Sequence, residues 1–151
     1  IGSLLFETEN GTIAKAFAAK KDKEVIGFIT LNNMHSIRNS AEIGILGLKK
    51  KYQKKNKDSF LETSYGIEIG GLLIIYAFEI LNLHKLTAHT YSDNNAVNKL
   101  YENGGWTKEG VIRDFIPRNG KWLNRNDWGL LKEEYYNCDN YKKLKKYIGW
   151  K

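Results

Sequence analysis

The sequence predicts an α/β (α+β) domain in which one mixed, twisted β-sheet carries flanking helices, in the order β-β-β-α-β-α-β-β. Three observations lead there. β-branched and aromatic segments pair into hairpins near both ends, an apolar stretch of helical length fills the middle, and a strand separates that stretch from a second, shorter helix.

The elements follow in chain order. Ile13 to Ala19 alternates loosely and ends in the charged turn Lys20-Lys21-Asp22-Lys23. Val25 to Leu31, β-branched and aromatic, closes a hairpin with it. A polar turn covers Asn33 to Ser40, and Ala41 to Leu48 is a third strand whose Gly44 and Gly47 predict a bend, a bulge or a close backbone approach. Lys49 to Ser64 has neither helical nor strand period and reads as a long loop, a length usually tied to function or mobility. Gly66 to Leu81 is apolar on nearly all faces, the pattern of a buried helix. Gly70 and Gly71 weaken its first turns by about 1 kcal/mol each relative to alanine, so packing or backbone access must offset them. Lys85 to Tyr91 is a strand, and Asp93 or Asn94 caps a helix that runs to Asn103 and ends at Gly104-Gly105. Trp106 to Ile116 and Lys121 to Leu131 form a hairpin closed by Asn119-Gly120, a pair that tolerates positive φ at both corners. Residues 1–134 make a single domain, and 135–151 a basic, aromatic tail able to form a short helix.

Composition narrows the class. With 151 residues, 42% hydrophobic, 13% aromatic and one proline, the chain can bury one core and is no disordered linker. Its single cysteine, Cys138, rules out an internal disulfide, suits a reducing cytoplasm and reads as an inert thiol in a polar segment without a nearby histidine. Leu72 to Phe78, the longest apolar run, is too short for a membrane span, and Ile1 to Phe6 lacks the basic lead of a signal peptide. A soluble, cytoplasmic protein is expected. His35, His84 and His89 are dispersed without metal-ligand spacing and read as structural, with His35 placed to line a substrate pocket; no metal is expected. The net charge of +7 gathers at 49–57 and 142–146. Such clusters can hold nucleic acid, anionic lipid or a phosphorylated cofactor. The tail cluster reads as a solvated face; 49–57, just upstream of Gly66, suits either a solvated face or a phosphate grip.

Two places carry chemistry. A helix start at Gly66 offers N–H groups and partial positive charge to a pyrophosphate. Asn94-Asn95-Ala96-Val97-Asn98-Lys99-Leu100-Tyr101 then places a phenol after a run of asparagines. With Glu24-Val25-Ile26-Gly27-Phe28-Ile29, Ala41-Glu42-Ile43-Gly44-Ile45, Tyr65-Gly66-Ile67-Glu68, Leu81-Asn82-Leu83-His84-Lys85, Gly105-Trp106 and Arg118-Asn119-Gly120-Lys121, the chain resembles the GNAT N-acetyltransferases. The branch it is most similar to acetylates ribosomal-protein N-termini and some amino sugars, and the resemblance covers most of residues 24–134.

The resemblance implies a GNAT-like fold and direct transfer of acetyl from acetyl-CoA to a primary amine, without metal or covalent enzyme intermediate. Backbone groups of Ile45, Leu46, Gly47 and Leu48 would pair with the pantetheine arm. Thr63, Ser64, Tyr65, Gly66 and Ile67 would hold the pyrophosphate, and Asn94 would bond the pantetheine or diphosphate. Tyr101 would protonate the leaving thiolate, Glu42 would help deprotonate the amine, and a strand N–H would steady the oxyanion. Three departures stand out. Leu61-Glu62-Thr63-Ser64-Tyr65-Gly66 keeps only the last glycine of the family's phosphate turn. Asn124-Arg125-Asn126-Asp127 replaces an acid followed by aliphatics, and the leading β/α elements look missing. The expected partner is a small-molecule or peptide amine: an amino-sugar nucleotide, a protein N-terminus, or a small amine such as a polyamine. The positive charge leans toward an anionic acceptor. Membrane is not expected, nucleic acid ranks last, and a homodimer is left open. The alternative reading is an acyl-CoA-binding module with little or no catalysis.

Overall fold

The computed structural model describes residues 2–7, 13–21, 23–53 and 65–150. Strands β1 (Gly2–Glu7), β2 (Ile13–Lys21), β3 (Glu24–His35), β4 (Ser40–Leu48), β5 (Lys85–Tyr91), β6 (Thr107–Arg118) and β7 (Lys121–Leu131) form one seven-stranded sheet ordered β1-β2-β3-β4-β5-β7-β6. Every ladder is antiparallel except β4–β5. The helices are α1 (Tyr65–Ile75), which continues as a π-turn over Tyr76–Ile80, α2 (Asn95–Asn103), α3 (Lys132–Asn137) and α4 (Asp139–Ile148). A mixed sheet with flanking helices is the predicted class.

Several elements differ from those the sequence predicts. β1 is a strand the sequence reading omits, because a short apolar run without clean alternation carries no period to recognise. β3 reaches His35, past the turn expected at Asn33. Asn33 takes φ 50° inside an irregular stretch of the β3–β4 ladder, and the turn shrinks to 36–39. The expected loop of 49–64 opens with a 3-10 turn, Lys50–Tyr52, and its remainder from residue 54 lies outside the described residues. The β6–β7 corner is as expected, with φ of 50° at Asn119 and 75° at Gly120.

Alternation sets which face is buried. In β5, Leu86, Ala88 and Thr90 are buried, while Thr87 and His89 occupy the opposite face. Trp128, Tyr135, Phe78, Leu31, Ile75, Leu86 and Leu130 are fully buried. Residues 132–148 form helices, and their Tyr135, Tyr141 and Leu144 belong to the same core. Tyr135 stacks on Phe78 with ring centroids 4.9 Å apart, a contact worth about 1 kcal/mol beyond the area it buries.

Glu79, in the π-turn, ties these helices to the end of α1. It accepts from Tyr135 Oη and Lys145 Nζ, both at 2.6 Å, and from Trp150 Nε1 at 3.0 Å. Burial raises its proton affinity, but the bonds from Lys145, Tyr135 and Trp150 outweigh it and hold the carboxyl below its usual range. A carboxyl depressed on folding stabilises the protein above its unfolded value of 4.5, and that contribution disappears as pH falls. Glu79→Ala should therefore lower stability by about 2 kcal/mol in urea unfolding at pH 7. The difference from wild type should shrink as the buffer is taken below pH 4.5.

Candidate active site

β4 and β5 pair only at Ser40↔Lys85, Ala41↔Leu86 and Glu42↔Thr87, although β4 continues to Leu48 and β5 to Tyr91. The cause lies on the other side of β4. Ile29 pairs with Leu46 and Leu31 with Ile43, so Gly44 and Ile45 together oppose Thr30, and this bulge bends β4 away. A Cβ on Gly44 would collide with Thr30 Oγ1 and Asn32 Nδ2, which is why this strand needs a glycine there. Lys49 N donates to Ile26 O at 2.9 Å, which makes 49/26, and by alternation 47/28, the hydrogen-bonded pairs. Leu46 and Leu48 therefore aim their backbone N–H and C=O into the gap. The Leu48 carbonyl accepts from Gln53 Nε2 at 2.6 Å.

The gap opens into a cavity of about 310 Å³ bounded by α1, α2 and the parted strands. Leu46, Gly66, Ile67, Asn94 and Tyr101, all assigned to the cofactor by the sequence, line it. Gly47 instead turns its backbone to β3. Tyr65 starts α1, but its ring packs on Tyr52 at 5.5 Å and its hydroxyl accepts from Lys21 Nζ at 2.5 Å. Thr63 and Ser64 lie outside the described residues. Lys49 and Lys51, from the first lysine cluster, reach Glu24 at 3.0 and 2.9 Å, where Tyr52 Oη also donates, and these bonds draw the Glu24 carboxyl down to about 2.

The two helix glycines have different reasons. A Cβ on Gly71 would collide with Leu144 of α4, so this glycine allows close packing. A Cβ on Gly70 would meet nothing within 4 Å, because Gly70 faces the cavity.

α2 is held over the cavity by a polar network. Asn94 accepts from Val97 N at 3.5 Å as the helix cap. Asn98 accepts from Thr90 Oγ1 at 2.5 Å and from Asn126 Nδ2 at 3.2 Å, and donates to Tyr91 O at 3.3 Å. Trp128 Nε1 donates to Thr90 Oγ1 at 2.8 Å. The polar Asn126, a departure from the family pattern, thus completes a buried network. Tyr101 sits between Trp106 and Trp128, with centroids at 4.8 and 5.7 Å. Burial pushes its hydroxyl up to about 12, so it is a protonated phenol at neutral pH.

The opposite face of the parted strands holds a second cluster. Glu42 Oε2 accepts from Asn33 Nδ2 at 2.8 Å and lies 3.3 Å from His89 Nε2. His89 Nδ1 is 3.1 Å from Asp127 Oδ1, which Arg125 Nε holds at 2.7 Å. His89 lines the cavity, whereas Glu42 lines a separate polar hollow of about 400 Å³ with Asn33, His35, Arg38, Ser40 and Thr87. His35, at the end of β3 rather than in a loop, lines this hollow, while His89 is not simply structural packing. Its signal is the alternation of β5, which puts it on the face of Thr87, the ladder partner of Glu42; that signal needs the strand order to be seen.

Residues 4–107 match the family model described as the acetyltransferase (GNAT) domain. The chain belongs to the GNAT acetyltransferase family. It is 26% identical over 128 residues to the uncharacterized N-acetyltransferase YoaA of Bacillus subtilis, covering 85% of this chain and 67% of that one. It is 30% identical over 115 residues to the spermidine N(1)-acetyltransferase of Vibrio cholerae, covering 76% of this chain and 61% of the relative. Among solved structures, the Vibrio cholerae spermidine N-acetyltransferase in complex with CoA and spermine superposes with a TM-score of 0.70 at 25% identity, over 82% of this chain and 70% of that chain. This GNAT chain thus spans about 60–70% of the length of these relatives. Both the family and the fold predicted from the ordered segments are borne out.

The glycine assignments are testable by thermal unfolding. Gly70→Ala should raise stability by about 0.5–1 kcal/mol, the ordinary gain in a helix interior. Gly71→Ala should lose stability, because Leu144 must move.

Proposed function

We propose that the protein is an acetyl-CoA-dependent N-acetyltransferase that moves acetyl directly to a primary amine. The observation that carries this is one cavity shared by the start of α1, the open edge of β4 at Leu46 and Tyr101. Those residues fit the co-substrate. Gly70 leaves room for its passage past α1, Leu46 supplies backbone groups for an amide-bearing arm, and the α1 N-terminus suits a diphosphate. Tyr101, kept protonated, donates its proton to the departing thiolate. A β4 N–H near the bulge steadies the oxyanion.

The acceptor approaches from the opposite face, through the hollow beside Glu42. Arg38 and His35 line the hollow together with that carboxylate, the one acid among its described lining. This pattern suits a small amine that also carries an anion better than a polyamine, whose several ammonium groups ask for several carboxylates. The alternative, an acyl-CoA-binding module without efficient catalysis, draws support from the altered phosphate turn Leu61-Glu62-Thr63-Ser64-Tyr65-Gly66.

Release of free CoA is to be measured with an amino-sugar nucleotide, a peptide N-terminus and spermidine as acceptors. Turnover is expected, with the nucleotide-linked amine favoured; acetyl-CoA binding by calorimetry with no turnover on any amine would favour the binding module. Tyr101→Phe should lower kcat by about 10²-fold or more while leaving acetyl-CoA affinity near that of wild type. An unchanged kcat would remove Tyr101 from the chemistry.

A further inference from the structure

We propose that His89 is the group that takes the proton from the acceptor amine, with Asp127 and Glu42 fixing its ring. This rests on the acetyl-transfer reading and adds a residue to it. Glu42 is the obvious acid–base candidate from sequence, but its Oε2 already accepts from Asn33 and faces His89, and its side chain borders the polar hollow rather than the cavity. His89 borders the cavity itself, just beyond the last β4–β5 pair, where an amine reaching from the hollow would meet the thioester. Imidazole is also the side chain whose protonation changes near neutrality, whereas a carboxylate already holding a hydrogen bond is a weak base for an ammonium.

The groups around the ring agree with this role. Asp127 Oδ1 on β7 lies 3.1 Å from Nδ1, and the role requires the tautomer in which Nδ1 donates to it and Nε2 is left to accept. Burial disfavours the charged Asp127, but Arg125, with its hydrogen bonds and charge, and His89 more than offset it and hold that carboxyl below its usual range, so Asp127 stays an acceptor. Glu42 Oε2 on β4 stands 3.3 Å from Nε2, so a carboxylate charge lies beside the proton the ring takes up. Across the cavity, α2 presents Tyr101 and α4 the buried Tyr141, and the described α1 residues at the wall, such as Gly66, Gly70 and Ile74, bring no titratable side chain.

The proton count closes. The ammonium gives one proton to His89 Nε2, which is 34% exposed on its side chain and passes it to solvent. The neutral amine forms the C–N bond as the C–S bond breaks. Its second proton replaces the one Tyr101 delivers to sulfur. Amide, thiol and one released proton are the result.

The test is the pH profile of kcat/KM for wild type, His89→Gln and Asp127→Asn, using the best amine of the acceptor panel, with acetyl-CoA affinity measured by calorimetry as the check on folding. His89→Gln should bind acetyl-CoA like wild type, lose about 10²-fold or more in kcat/KM, and lose the acidic limb of the profile. Asp127→Asn should keep that limb but displace it, a change that a purely structural residue would not produce. A wild-type profile in His89→Gln overturns the assignment and leaves acetyl transfer standing. A wild type that binds acetyl-CoA but acetylates no amine overturns both.

Discussion

Everything at this site depends on two neighbouring strands that stop pairing. A sheet normally satisfies its backbone groups by continuing the ladder. Here the ladder between β4 and β5 ends at Glu42↔Thr87, because Gly44 and Ile45 bulge against Thr30 on the far side of β4. The parted strands leave backbone donors and acceptors facing a cavity instead of a partner strand. His89 borders that cavity and stands 3.3 Å from Glu42, which lines the separate polar hollow, so the two openings lie on either side of one ion pair.

Much of the scaffold exists to hold the walls of that opening. α2 carries Tyr101, and Asn98, Thr90, Asn126 and Trp128 pin it to β5 and β7 through mutual hydrogen bonds with no buried side-chain polar atom left unpaired among the described residues. α1 carries the open Gly70 and packs closely on Leu144 of α4 at Gly71, while Glu79 locks α3 and α4 to its end. Of the C-terminal aromatic residues, Tyr135 and Trp150 serve the site at one remove, by fixing the helix that forms its wall, while Tyr141 lines the cavity itself.

The sequence made the fold class legible because period-2 segments, a glycine-punctuated apolar helix and an Asn-Gly corner are local signals. It also pointed to Leu46, Gly66, Ile67, Asn94 and Tyr101, which share one cavity. What it hid is long-range. The alternation of β5 shows that Thr87 and His89 share a face, but that Glu42 and Asp127 flank His89 follows only from the strand order β4-β5-β7. In the sequence, Asn124-Arg125-Asn126-Asp127 reads only as a departure from the family's acid followed by aliphatics. Asn126 in fact satisfies a buried network and Asp127 meets His89, two roles on the two faces of one strand. Tyr135 and Tyr141 looked like tail residues because their partners, Phe78 and Trp106, are far away in sequence.

A crystal structure of the protein soaked with acetyl-CoA tests the central claim most directly. The account places the thioester sulfur within hydrogen-bond reach of Tyr101 Oη, with the arm running beside Leu46 between the parted strands. Electron density for the co-substrate in the other large groove, of about 370 Å³ between β2, β3 and α1 and lined by Phe17, Ile26, Tyr65, Leu72 and Trp150, would contradict it.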